Sequence, residues 1–325
     1  MTRRISKAVL LLFSACLAVI SDSAIAQRRL IIASGGTAGI YHPLGSAIAK
    51  ILNAQIPDVI ASNEATSASA DNIRMVTAGK ADIAFSQADT AWDAYKGRGV
   101  FQTEGPQPIR TVLVMYPNSL QLVATLKSGI TKVSDLRGKR VSTGAKGSGT
   151  EIWAYRFLLA NGIDPATQIS DRKLLVGPSA AEMKTGNIDA FIWSGGIPTN
   201  VIADLASDAA TQIRLLNTAA SVPSMLRKYG PVYTDGEIPP NTYSGMTKPI
   251  PVALVWNVLI VRADMDAQLV HRIARALFER KNDLVAGHIA ARDMDVRAQN
   301  RGGSPIPFHA GAIRYMREHG VRILR

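Results

Sequence analysis

Strand-like and helix-like segments alternate along almost the whole chain, and this alternation limits the possible folds more than any other feature of the sequence. Such alternation is typical of α/β domains with largely parallel sheets. Ligands in these sheets bind outside the carboxyl ends of the strands. The predicted strands are 30–34, 59–63, 82–86, 111–115, 120–125, 139–143, 173–176, 189–193, 213–216 and 252–261, and the predicted helices are 43–54, 69–78, 88–96, 149–161, 198–206, 222–229, 266–287 and 309–319.

The first 26 residues are predicted to be a secretory signal peptide that is not part of the fold. Basic residues within 2–7 precede an apolar run at 8–20, and small residues provide a cleavage site after Ala26. A lipoprotein site at Cys16, which would leave an acylated N-terminus, is the alternative. Export to the periplasm is expected, and no later apolar run reaches the ~18 to 20 residues that span a bilayer.

Charge and cysteine content narrow the class of protein. The formal charge of +12 falls to +10 when the leader is removed, which favours anionic partners or serves solubility alone. Basic clusters with interleaved aromatic residues do not occur, so no nucleic-acid partner is expected. The only cysteine, Cys16, leaves with the signal peptide, so the mature chain is expected to have no disulfide and no cysteine–metal site.

Two places in the chain are predicted to be crossings between domains. Residues 116–119 separate two predicted strands, and the proline-rich segment 230–251 is predicted to be a long loop that returns towards the last strand. Two crossings imply a first lobe that holds both termini and a second lobe inserted as one block. We therefore predict a two-lobed α/β protein with a ligand cleft between lobe 1 (27–118 plus 256–325) and lobe 2 (119–255).

The turn at 34–45, Ser-Gly-Gly-Thr-Ala-Gly-Ile-Tyr-His-Pro-Leu-Gly, joins the first predicted strand to the first predicted helix. Pro43 suits the first helical turn because its missing N–H is not needed there. The turn exposes unpaired backbone N–H groups and the positive end of a helix dipole, which together attract anions. This pattern predicts one wall of a site for a small anionic ligand.

Three later strand-to-helix turns have the same character. In the first of them, Ser67 or Ser69 either caps the following helix or donates to a ligand. The turn at 142–151 resembles a phosphate loop but has Thr150 where that loop needs lysine, which argues against a nucleotide enzyme. The double glycine within 193–198 lets the backbone approach a ligand closely.

Catalytic and metal-binding motifs are not found in the sequence. No serine has glycines two residues before and after it, and no two histidines are four residues apart. A secreted hydrolase that uses His42 with Ser69 or Tyr41 is left as an alternative. Polar donors without a nucleophile, a base or a metal predict a binding protein that is not an enzyme and needs no cofactor.

Seven segments together carry a family resemblance: Gly35–Gly45, Ser67–Ile73, Ala81–Asp89, Asp135–Val141, Gly147–Glu151, Asp189–Pro198 and His309–Glu318. In this order and combination they resemble the TAXI-type solute-binding proteins of tripartite ATP-independent periplasmic (TRAP) transporters. The resemblance extends over essentially the whole mature chain.

The resemblance implies a type II periplasmic binding fold whose lobes close over a ligand, and delivery of that ligand to a permease driven by an ion gradient. The implied ligand is a small organic anion: a dicarboxylate, an oxo-acid or an acidic amino acid such as glutamate. A receptor that feeds a sensor kinase is the alternative, and a monomer is expected. The implied ligand-binding residues are Gly36, Thr37, Gly39, Tyr41, Ser67, Ser69, Asn72 and Gln87 in lobe 1, and Ser148, Gly149, Thr150, Trp193 and Gly196 in lobe 2.

Overall fold

The structure, a computed structural model, describes residues 27–323. The predicted signal peptide, with Cys16 and the cleavage site after Ala26, lies outside the described residues. None of the helices within 27–323 combines the length and apolar character that crossing a membrane requires. The same residues contain no cluster of three or more His, Cys, Asp or Glu side chains that could hold a metal ion.

Strands and α-helices alternate along most of the described part of the chain, as predicted, and the last three α-helices follow one another without a strand between them. The strands are β1 (Arg28–Ala33), β2 (Val59–Glu64), β3 (Ile83–Gln87), β4 (Ile109–Thr125), β5 (Arg140–Ser142), β6 (Ser170–Arg172), β7 (Ala190–Gly195), β8 (Ile213–Leu216), β9 (Thr234–Ile238) and β10 (Ile250–Arg262). The helices are α1 (Tyr41–Gln55), α2 (Ser69–Thr77), α3 (Ala88–Lys96), α4 (Gly149–Ala160), α5 (Val176–Lys184), α6 (Asn200–Ser207), α7 (Val222–Tyr229), α8 (Ala267–Glu279), α9 (Lys281–Gly287) and α10 (Ala310–Glu318).

All of these strands belong to one sheet with the order β2-β1-β3-β10-β4-β7-β5-β6, in which β8 also pairs with β4 and β9 with β10. The outer pairs β1–β2, β1–β3, β5–β6 and β5–β7 are parallel. The pairs that involve β4 and β10 are antiparallel. The predicted α/β class is therefore confirmed, and the sheet is mixed rather than largely parallel.

The two longest strands, β4 with 17 residues and β10 with 13, run side by side through the middle of the sheet. Residues 116–119 lie inside β4, so the prediction that they separate two strands was wrong. Pro117 has no N–H to donate, and it is tolerated because the pairing shifts register between Trp256 and Val258 of the facing strand.

Two further predictions are corrected by the structure. The predicted strand 173–176 is a loop that leads into α5, whose first turn contains Gly177 and Pro178. Proline fits the first turn of a helix, so Pro178 is compatible with α5, a helix that the sequence pattern did not reveal. The segment 230–251 is not a loop throughout, because β9 forms within it and pairs with β10.

Buried apolar side chains form separate clusters on the two halves of the sheet. Two clusters draw mainly on residues 30–116 and 258–321. Two others draw mainly on residues 120–255. The predicted division into lobe 1 and lobe 2 is compatible with this arrangement and stays a prediction.

Candidate functional site

A cavity with a volume of about 80 Å³ lies at the carboxyl ends of β1, β3 and β7, where several helices begin. A cavity of this size admits several water molecules or one small organic molecule. The lining consists of residues 35–41, 67–68, 87, 116, 118, 144–145, 148–150, 174–178 and 193–195. It combines residues from both predicted lobes.

Most of the residues predicted to bind ligand are brought together around this cavity. Those on its wall are Gly36, Thr37, Gly39, Tyr41, Ser67, Gln87, Ser148, Gly149, Thr150 and Trp193. Thr37 is exposed, whereas Gln87 and Thr150 are almost fully buried. Their contact with a ligand stays a prediction.

Ser69 and Asn72 do not line the cavity but hold the elements that surround it. The Ser69 hydroxyl accepts a hydrogen bond from the backbone N–H of Gln87 at 3.1 Å. The Asn72 side-chain amide donates to the carbonyls of Ser34 at 2.7 Å and Phe85 at 2.8 Å. These bonds fix the start of α2 to the ends of β1 and β3.

Gly196 also lies outside the lining, and Trp193 lies within it. A Cβ added to Gly196 would lie 2.9 Å from the Ile40 side chain, so a glycine there allows close packing of two chain segments. The indole Nε1 of Trp193 donates to the Thr199 hydroxyl at 3.1 Å. The Trp193 ring lies against Gly39, where an added Cβ would be 3.3 Å from the ring.

Neutral polar side chains are joined in a network at one side of the cavity. The amides of Gln87 and Asn118 both donate to the Ser194 hydroxyl, at 2.6 Å and 3.1 Å. Asn257 donates to the Asn118 carbonyl oxygen at 2.7 Å and accepts a hydrogen bond from the Tyr41 hydroxyl. The network links β3, β4, β7, β10 and α1, so it fixes the cavity wall to the central strands.

Two buried polar atoms of the cavity lining have no hydrogen-bond partner: Gln87 Oε1 and the Tyr116 hydroxyl oxygen. A buried polar atom left without a partner is destabilising, so a ligand group that bonds either atom would remove that cost. Burial raises the pKa of Tyr116 and of Tyr41, so both phenols stay neutral at ordinary pH.

Five helices begin at the cavity, and the electrostatic environments of their N-termini differ. The first turns of α2, α3 and α4 contain acidic residues: Asp71, Asp89 and Glu151. By contrast, α1 and α5 have no acidic residue in the first turn and no side-chain cap. Their N-cap residues, Ile40 and Leu175, are apolar and cannot accept a hydrogen bond through their side chains.

Residues 32–320 match the profile of the NMT1-like family. The chain belongs to this family.

Solved structures show the same fold at low sequence identity. The binding component of an ABC phosphonate transporter from Pseudomonas aeruginosa has a TM-score of 0.55 and 11% identity, over 81% of this chain and 79% of that chain. A protein from Bordetella bronchiseptica has a TM-score of 0.53 and 16% identity, over 90% and 89% of the two chains. A putative L-cystine ABC transporter protein from Listeria monocytogenes has a TM-score of 0.50 and 14% identity, over 82% and 98%. The predicted binding-protein fold is confirmed.

Several lining residues of this NMT1-like protein were missed by the sequence analysis. They are chiefly Tyr116, Asn118, Ser194 and the segment 174–178. Ser194 lies within the double-glycine turn 193–198, so the sequence pattern does mark its position. The segment 174–178 gave none, because the start of α5 was predicted to be a strand.

Two basic groups that are close in sequence to the lining segments, Lys146 and His42, do not line the cavity. Lys146 is exposed and does not line the cavity. His42 does not line it either, and its Nδ1 lies 3.2 Å from the Asn63 side-chain amide. The arrangement proposed for a hydrolase, His42 with Ser69 or Tyr41, gains no support from this placement.

A buried charge cluster joins α3 to α4 in this NMT1-like protein. Arg156 contacts the carboxylates of Asp89, at 3.3 Å, and of Asp93, and it donates to the Tyr233 hydroxyl at 2.9 Å. The side chains of Asp89 and Asp93 are 0% and 2% exposed, and that of Arg156 is 11% exposed. Burial raises the pKa of Asp89. Asp93 also pairs with Arg98 at 2.8 Å on the exposed side of the cluster.

Proposed function

We propose that this NMT1-like protein is a periplasmic solute-binding receptor that captures a small organic anion by lobe closure and delivers it to a membrane permease. The observation that carries the proposal is the small cavity bordered by both predicted lobes and by five helix N-termini. Unpaired N–H groups and helix dipoles at such ends favour negative charge. Membership of the NMT1-like family and the binding-protein fold support the same function.

Contacts around the cavity support a closed arrangement of the two lobes. An added Cβ on Gly36 of lobe 1 would lie 3.1 Å from the Leu175 side chain of lobe 2. The backbone N–H of Ala70 in lobe 1 donates to the Gly147 carbonyl of lobe 2 at 3.2 Å. We propose that the ligand stabilises this closed form because it contacts both walls at once.

The proposed ligand is a dicarboxylate, an oxo-acid or an acidic amino acid such as glutamate, held by the predicted residues. Thermal-shift and calorimetric screening of the purified chain against these compounds tests the proposal. A ligand at a hundred times its Kd should stabilise the protein by about 2.7 kcal/mol. Stabilisation by neutral sugars alone would show that the anion hypothesis is wrong.

The proposed partner is a TRAP permease, because the motifs of the whole mature chain resemble its TAXI-type receptors. An ABC importer is a second candidate, because two structures with this fold are named as parts of ABC transporters. Uptake of the identified ligand by cells separates the two candidates. A TRAP system should lose uptake when the ion gradient is dissipated while ATP is maintained, and an ABC system should not.

The proposed location depends on the predicted leader, residues 1–26. Mass spectrometry of the protein from the periplasm should give a mature chain that begins at Gln27. A lipid-modified N-terminus at Cys16 would instead establish the alternative, and an uncleaved chain in the cytoplasm would contradict export.

A further inference from the structure

The N-termini of α1 and α5 lie close together at the cavity. An added Cβ on Gly177, in the first turn of α5, would lie 3.1 Å from the Ala38 side chain in the turn before α1. An added Cβ on Gly36 would likewise lie 3.1 Å from the side chain of Leu175, the N-cap of α5. These two helix ends are also the two at the cavity that have neither an acidic first turn nor a side-chain cap.

The charge that these ends offer is close to one elementary charge. Each helix N-terminus is equivalent to about +0.5 charge, so two adjacent ends supply roughly +1. The other three helices differ: α2, α3 and α4 have carboxylates in the first turn, of which Asp89 is paired with Arg156 and Glu151 with Lys173, and the Ser148 hydroxyl caps α4. Every residue that lines the cavity within the described chain is uncharged. A second charged group on the ligand would therefore be buried without a partner, which is unfavourable.

The rest of the lining indicates the chemistry of the uncharged part of the ligand. Gln87, which is 3% exposed, has its Oε1 acceptor unpaired at the cavity wall. A hydroxyl or an amide N–H on the ligand would supply the missing donor. Leu175, Val176 and the ring of Trp193 provide apolar surface for a short carbon chain.

We infer that the ligand is a compact organic monoanion. Its carboxylate lies between the N-termini of α1 and α5, and its uncharged remainder donates a hydrogen bond to Gln87. This inference rests on the proposed receptor function and narrows its ligand class: of the ligands named there it keeps oxo-acids with a single carboxylate and excludes dicarboxylates and acidic amino acids, which have a second charged group.

Calorimetric titration of the purified chain with matched compounds of about three to six carbons tests the ligand class. Each set contains a hydroxylated monocarboxylate, the corresponding dicarboxylate and the corresponding diol; one such set is 4-hydroxybutyrate, succinate and butane-1,4-diol. We expect the best monocarboxylate to bind at least about tenfold more tightly than the best dicarboxylate. Tighter binding of dicarboxylates would overturn the inference and leave the receptor function intact. Binding of none of the compounds would overturn the inference alone, whereas binding of diols alone would refute both the inference and the proposed anion receptor.

Paired substitutions at Leu175 test the position of the carboxylate. Leu175→Asp and Leu175→Asn have nearly the same shape and both can cap α5, but only aspartate adds negative charge. We expect Leu175→Asp to weaken binding of the best monocarboxylate about tenfold more than Leu175→Asn does. Equal losses in the two variants would show that the charge lies elsewhere.

Ala38→Asp and Ala38→Asn repeat the comparison at the turn before α1, in case substitution at Leu175 prevents folding. Thermal unfolding of each variant without ligand establishes that it is folded. We expect Ala38→Asp to weaken binding of the best monocarboxylate about tenfold more than Ala38→Asn does. Equal losses of affinity in these two variants would overturn the inference.

Discussion

Replacement of Arg156 by methionine should be among the most destabilising single changes in this protein. The side chain is 11% exposed and it serves two carboxylates that are themselves buried, those of Asp89 and Asp93. Methionine retains much of the arginine stem but leaves both carboxylates without their shared cation. Breaking a buried ion pair from one side costs about 3–5 kcal/mol. Domains are stable by about 5–15 kcal/mol in total, so this loss is a large fraction of the stability.

A second variant separates the effect of burying the ion pair from the general effect of losing an arginine. Arg98 pairs with the same Asp93 carboxylate at 2.8 Å, but its side chain is 45% exposed. Arg98→Met should therefore cost no more than about 1 kcal/mol, because exposed pairs are weak. Urea unfolding at neutral pH measures both losses in the free energy of unfolding. Similar losses for the two variants would refute the argument that burial makes the Arg156 pair important.

The same substitution should affect ligand capture. Arg156 belongs to the predicted lobe 2 and both of its carboxylate partners belong to lobe 1, so its ion pairs form between the lobes. Arg156→Met should lower ligand affinity and enlarge the radius of gyration of the ligand-free protein in X-ray scattering. A variant that combines Arg156→Met with Asp89→Asn and Asp93→Asn should recover much of the stability, because no uncompensated charge stays buried.

Three other changes have defined outcomes. Thr37→Ala combined with Thr150→Ala should weaken ligand binding by more than about tenfold without unfolding the protein, and an unchanged affinity in calorimetry would show that the site is misassigned. Gly36→Ala should weaken binding moderately, because the new Cβ would lie 3.1 Å from Leu175 in the closed form, whereas thermal stability without ligand should change little. Burial lowers the pKa of His309 in the folded protein from its ordinary value of 6.5, so the unfolded chain binds the proton more readily. The contribution of His309 to the free energy of unfolding should therefore be complete above about pH 6.5. It should be lost as the pH falls through the lowered pKa. His309→Asn should flatten this part of the curve of unfolding free energy against pH, and an unaltered curve would exclude His309 as its source.

The sequence predicted local elements of the site better than their assembly. The turn before α1 and the start of α4 could be located because glycines and short hydroxyls mark the passage from strand to helix. The start of α5 could not, because its N-cap Leu175 is apolar and Gly177 with Pro178 is typical of a loop. Helix α5 forms in the structure because its buried residues pack against the second half of the sheet.

Local sequence patterns do not show whether a side chain near the site faces the cavity or bonds the protein itself. Asn72 occurs in a motif that resembles a ligand-binding segment, yet both of its amide donors are used on backbone carbonyls. Asn118 lies in a segment predicted to cross between domains, but the pairing of β4 with β10 places it beside Asn257 and the cavity. These positions depend on which strands become neighbours, and that is decided by the whole chain.

The side-by-side course of β4 and β10 has a mechanical consequence for ligand entry and release. The two halves of the sheet are joined through a pair of hydrogen-bonded strands. Such a ribbon bends readily across its flat face, but sliding of one strand along the other breaks the ladder. Pairing is already interrupted at two register shifts, between Trp256 and Val258 and between Leu259 and Ile260, so we expect bending to concentrate there. For the proposed closure, we therefore expect the relative motion of the two halves to be mainly a rotation about one axis along this strand pair.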